Sequence, residues 1–105
     1  MRFDHVAFQS SDIVNTVNWY TSNLDAEVLY QDSTWAFLSV GGTKIAFVTP
    51  GQHPPHICFS VDDNYIREKL KNKIFKSHRD GSESCYIRDV DGNHIEFLKW
   101  PKKNG

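Results

Sequence analysis

Glu96 is the side chain with the clearest opening for chemistry. It stands in the run Tyr86-Ile87-Arg88-Asp89-Val90-Asp91-Gly92-Asn93-His94-Ile95-Glu96-Phe97. Asp91-Gly92 is a turn signal, because glycine takes a positive φ without steric cost. Side chains alternate along the strand that follows, so His94, Glu96 and Leu98 share one face while Ile95, Phe97 and Lys99 share the other. A strand with an apolar face behind and Glu96 in front can set a carboxylate into a pocket. His94, two residues earlier on the same face, can support that carboxylate or move a proton. The plainer alternatives are a solvated Glu96 and a half-exposed histidine at the start of a strand.

Two more histidines come into view through a repeat. Gly42-Thr43-Lys44-Ile45-Ala46-Phe47 matches Gly92 to Phe97 at an offset of 50, and His5-Val6-Ala7-Phe8 matches His56-Ile57-Cys58-Phe59 at an offset of 51. Two short matches at nearly one spacing point to a supersecondary unit repeated over half the chain. The copies keep the histidine, but Glu96 becomes Ala46 in the first, and His94 becomes Lys44.

The elements that would position these residues follow the same repeat. Phe3 to Gln9 reads as a strand with Val6 and Phe8 toward the core and Phe3, His5 and Ala7 on the other side. Ser10-Ser11-Asp12 reads as a helix N-cap, and Ile13, Val17, Tyr20 and Leu24 have helical spacing, which predicts a helix over 12–23. Strands follow at Glu27–Tyr30, Trp35–Val40 and Lys44–Thr49. The proline-rich stretch 50–55 is a stiff linker. The pattern then restarts, with a strand at His56–Val61, a helix over 63–73 capped by Asp62-Asp63 and striped by Ile66 and Leu70, and strands at Ile74–His78, Glu83–Arg88 and His94–Trp100. The expected fold is α+β, with two βαβββ modules, about 2–50 and 55–100, forming a curved mixed sheet with helices outside. On that arrangement His5, His56 and Glu96 share the face away from the helices and can converge.

Bulk properties bound the function. The chain has 105 residues, enough for one domain and not for two independent ones. Net charge is −1, which gives no electrostatic case for nucleic acid or a membrane surface, and no apolar run approaches the roughly 20 residues of a membrane span. The N-terminus has no apolar signal core, and Cys58 and Cys85 form no CxxC, so both are read as reduced thiols of a cytoplasmic protein. Cys58 reads as a buried inert thiol rather than a nucleophile. Tyr86 and Arg88, on the neighbouring strand, can reach a polar substrate, with a surface position the safer reading of Arg88, and Trp35, Phe37 and Trp100 either pack in a core or line a pocket for an aromatic ligand. His53 and His78 sit in or beside loops and receive no role.

These motifs together resemble the vicinal oxygen chelate superfamily, which includes glyoxalase I, extradiol dioxygenases, fosfomycin-resistance thiol transferases and bleomycin-resistance binding proteins. The resemblance covers residues 2 to 100 as one domain, and its most specific part is the strand, Asp-x-Asp-Gly-Asn turn and Glu-bearing strand ending at Phe97. It implies paired βαβββ modules around one divalent metal, with ligands at His5, position 46, His56 and Glu96. Position 46 is Ala, so the implied metal ligands are His5, His56 and Glu96. Two imidazoles and a carboxylate suit Fe²⁺ or Mn²⁺, and Zn²⁺ or Ni²⁺ can take the same set. The implied protein is a homodimeric, cytoplasmic metalloenzyme, of lyase or dioxygenase type, acting on a small oxygen-chelating substrate, with Glu96 and His94 as its catalytic residues. Glyoxalase I activity itself is not expected. The alternative is a metal-free protein that binds a small molecule in the manner of bleomycin resistance.

Overall fold

Asp12 starts the first helix. Its carboxylate accepts the Asn15 backbone N–H at 3.1 Å, satisfying one of the donors that a helix N-terminus leaves over. The computed structural model describes residues 1–101. In chain order it has β1 (Arg2–Gln9), α1 (Ile13–Asn23), β2 (Ala26–Gln31), β3 (Trp35–Val40), β4 (Thr43–Val48), β5 (His56–Ser60), α2 (Asp63–Lys69), β6 (Lys76–Ser77), β7 (Glu83–Arg88) and β8 (His94–Lys99). That order is βαβββ twice, an α+β fold of mixed strand pairing.

The chain divides into two compact units. One is His5–His56, and the other takes Met1–Asp4 with the chain from Ile57 onward. The first four residues join the second unit through specific contacts. Phe3 meets Phe59 edge-on at 6.0 Å, and the Trp100 indole N–H donates to the Asp4 carboxylate at 3.1 Å.

In the unit His5–His56 the strand order is β2-β3-β4-β1. β2 and β4 are antiparallel to β3, whereas β1 runs parallel to β4 with Val6 opposite Ile45 and Ala7 opposite Ala46. Ile13 and Val17 of α1 bury against Ala36, Leu38 and Phe47, with Tyr20, Ala26, Val40 and Ile45 around them. Every second residue of β3 and β4 is thus committed to the helix side, which turns Trp35, Phe37 and Ala46 to the other face. Full burial of a side chain such as Leu38 contributes roughly 1.5–3 kcal/mol. Leu24, expected in the helical stripe, is instead the C-cap of α1 in extended backbone, and its side chain is exposed.

In the other unit the strand order is β5-β8-β7-β6, with β7 antiparallel to both β6 and β8. Asp62 caps α2 by accepting the Tyr65 N–H at 2.8 Å. The core is Val61, Leu70, Cys85 and Phe97, with Phe59, Tyr65, Ile66, Phe75, Ile87 and Ile95 packed on it. The helix ends at Lys69, four residues short of the expected 63–73. Leu70 leaves the helix with φ −126° and buries in the core, after which Lys71-Asn72-Lys73 offers no apolar side chain to extend the stripe. The strand expected over Ile74–His78 is reduced to Lys76–Ser77, because Ile74 points into solvent and only two residue pairs form with β7.

Candidate metal centre

The unit His5–His56 brings its two histidines together. His5 lies on β1, where the parallel register with β4 begins one residue later. Its ring stands edge-on to Phe37 at 5.6 Å and 90°, and faces the His56 ring at 5.7 Å and 71°. One ring nitrogen of each histidine lies within 4.8 Å of the other.

His56 has its ring oriented by the linker. Its Nδ1 is 2.7 Å from the Pro54 carbonyl oxygen. A carbonyl can only accept, so Nδ1 carries a proton and donates it to Pro54. Binding one ring N–H to a backbone carbonyl is the usual way a protein orients a ligating imidazole. The ring is nearly buried, at 8% exposure, and His53, which sequence reasoning left without a role, places its own ring 6.5 Å away. No pattern in the sequence marks the Pro54 carbonyl as a partner, because it is a backbone atom whose aim depends on the linker's path.

Ala46 sits on the same face between two apolar neighbours. β1 sets Ala7 beside it and β3 sets Phe37 beside it. Neither offers a lone pair that could replace the carboxylate of the second copy.

In the other unit, Glu96 lies on β8 at 8% exposure, on the face opposite Ile95 and Phe97, which pack in the core. The turn before it is built as the sequence suggested. Gly92 has φ +84°. The Asp89 carboxylate accepts the backbone N–H groups of Asp91 and Asn93, both at 2.9 Å, and the Asn93 side-chain amide at 3.0 Å. These bonds hold the Asp89 carboxyl below the ordinary carboxylate value, with the Asn93 side chain the largest cause.

Two side chains meet Glu96 in this unit. Tyr86 lies directly across from it on β7, and Tyr86 and Cys58 both hydrogen-bond its carboxylate. Burial first, and then the Glu96 charge, push the Tyr86 hydroxyl and the Cys58 thiol far above their usual values, so both stay protonated donors. Cys58 is fully buried, and its sulfur lies within 4.8 Å of an Asp4 carboxylate oxygen. Cys85, on the core side of β7, is pushed up mainly by burial. Both cysteines are free thiols. Asp4 went unnoticed in the sequence, where its only signal was adjacency to His5.

His94 shares the Glu96 face and is half-buried. Its ring is 6.3 Å from Tyr86 at 80°, and its strand partner is Arg88, which is exposed. Trp100 is also largely exposed, tied through its indole to Asp4. Imidazole nitrogens and carboxylate oxygens are the ligand types of divalent-metal sites.

Comparison with known proteins adds four findings. Residues 2–97 match the model of the Glyoxalase/Bleomycin resistance protein/Dioxygenase superfamily. The chain is 26% identical over 111 residues to the metallothiol transferase FosB of Staphylococcus haemolyticus, covering 90% of this chain and 80% of that one. Its fold is similar to a superfamily member from Vibrio splendidus, with a TM-score of 0.69 at 13% identity, covering 92% and 98% of the two chains. It is similar also to a protein from Staphylococcus aureus, with a TM-score of 0.70 at 14% identity, covering 93% and 95%.

Proposed function

Because the chain belongs to the Glyoxalase/Bleomycin resistance protein/Dioxygenase superfamily, we propose that it is a metal-dependent enzyme acting on a small, oxygen-chelating substrate. His5, His56 and Glu96 hold one divalent ion in this reading, with Fe²⁺ or Mn²⁺ favoured over Zn²⁺ or Ni²⁺. The observation that carries it is the pairing of two imidazoles, with a ring nitrogen of His56 within 4.8 Å of one of His5 and the His56 ring oriented by its Nδ1 bond to Pro54. The similarity to a metallothiol transferase, at 26% identity, supports metal dependence without fixing the reaction. When bound, the metal supplies Lewis-acid polarisation of a substrate oxygen.

The chain's own residues do the remaining work. His5 and His56 bind as neutral imidazoles, and Glu96 contributes the negative charge. His94, two residues before Glu96 on the same face, holds or moves a proton at its ring. Phe37 and Ala46 keep the His5 side of the site apolar, which strengthens charge interactions and sheds water. The protein works as a cytoplasmic homodimer.

The test is a titration of chelator-stripped protein with Mn²⁺, Fe²⁺, Zn²⁺ and Ni²⁺, followed by turnover assays on small molecules with vicinal oxygens. Stoichiometric binding and metal-dependent turnover support the reading. Tight binding of such molecules without any metal would instead mark a metal-free binding protein.

A further inference from the structure

We infer that Tyr86 is the positioning residue of the metal centre, holding the Glu96 carboxylate in its binding geometry through a hydrogen bond. The inference rests on the reading that Glu96 is a metal ligand. β7 gives Tyr86 no alternative place. Cys85 and Ile87, on either side of it, pack into the core below α2, so Tyr86 must project from the opposite face. The antiparallel register sets it directly across from Glu96, where paired side chains stand about 5 Å apart at Cβ. The His94 ring, with its centroid 6.3 Å away and its plane at 80°, flanks the phenol.

The need for such a donor comes from burial. Glu96 is 8% exposed, and a carboxylate removed from water without hydrogen bonds is strongly disfavoured. Of the two groups bonded to it in this unit, Tyr86 carries the strong donor, because a thiol such as Cys58 donates weakly. A phenol carries its proton at neutral pH and so can donate to a carboxylate. Glutamate has three rotatable bonds, and fixing them before the metal arrives removes an ordering cost from binding. Neighbours that hydrogen-bond a ligating carboxylate typically change metal affinity by about 10- to 100-fold.

The experiment is a chelator-competition titration with Mn²⁺ and Zn²⁺ on the wild type, Tyr86→Phe, Glu96→Gln and the double variant. Phenylalanine keeps the ring and removes only the hydroxyl. Tyr86→Phe is expected to bind metal at least about tenfold more weakly. It should have no further effect in the Glu96→Gln background, because its action runs through Glu96. A merely structural role would weaken binding equally in both backgrounds, and that result overturns the inference, as does unchanged affinity in Tyr86→Phe. A wild type that binds neither metal overturns the metal reading and this inference together.

Discussion

Ala46 lies directly across β3–β4 from Phe37, and the Phe37 ring meets His5 edge-on at 5.6 Å. The position that corresponds to Glu96 in the first copy is therefore occupied by a methyl group between Ala7 and an aromatic ring. Chemistry that needs a carboxylate there has no substitute in these neighbours. We expect no glutathione-hemithioacetal isomerisation above background with Zn²⁺, Ni²⁺ or Mn²⁺. Steady turnover with any of them would show that Ala46 is not decisive.

The same packing makes Ala46→Glu a sharper probe. A carboxylate buried between Ala7 and Phe37 without a partner should cost several kcal/mol in the metal-free protein. Metal in excess should restore much of that loss by binding the folded form. Thermal melts with and without Mn²⁺ read both effects. A variant as stable as wild type without metal would mean that this face is more solvated than its burial implies.

Asp32 gives a prediction about acid. Its carboxylate accepts from the Tyr30 hydroxyl at 2.7 Å and from the Thr34 and Trp35 backbone N–H groups at 2.7 and 2.9 Å. These bonds, with Tyr30 the largest cause, lower its pKa from 3.8 to about 2. A group depressed in the folded state stabilises it above the unfolded value and loses that effect as pH falls through the folded one. The melting-temperature gap between wild type and Asp32→Ala should be flat at neutral pH and shrink between 3.8 and about 2. A gap that narrows near pH 6 would point to another group.

Leu38 is 0% exposed at the centre of the α1 core. Leu38→Ala should lose about 2–5 kcal/mol in urea unfolding. Metal stoichiometry should persist in the fraction that stays folded, since Leu38 faces away from His5. Loss below about 1 kcal/mol would mean that the site collapses around the smaller side chain.

Much of this was legible in the sequence because it rests on periodicity. The paired runs at His5 and His56, and at Thr43 and His94, became β1, β5, β4 and β8. Alternation placed Ile95 and Phe97 in the core and Glu96 on the other face. The register between β7 and β8 was not legible, so Tyr86 was not identified as the partner of Glu96. Nor was the Pro54 carbonyl, because a backbone acceptor leaves no trace in residue types. The end of α2 was misjudged because Leu70 fits a helical stripe equally well as its last member or as the residue that leaves it.

Assembly is the remaining expectation. A chain of this length has little core of its own, and β2, which lies at the end of its strand order, exposes Val28, Leu29 and Tyr30. Sedimentation at micromolar concentration should give a homodimer. A clean species of 12.1 kDa would contradict it.

The most direct measurement is the metal content of protein purified without chelators, beside His56→Ala. The variant removes the imidazole whose Nδ1 is bonded to the Pro54 carbonyl. The account predicts one divalent ion per wild-type chain and none in the variant. A wild type that takes up none of Fe²⁺, Mn²⁺, Zn²⁺ or Ni²⁺, or a variant that retains the metal, would contradict it.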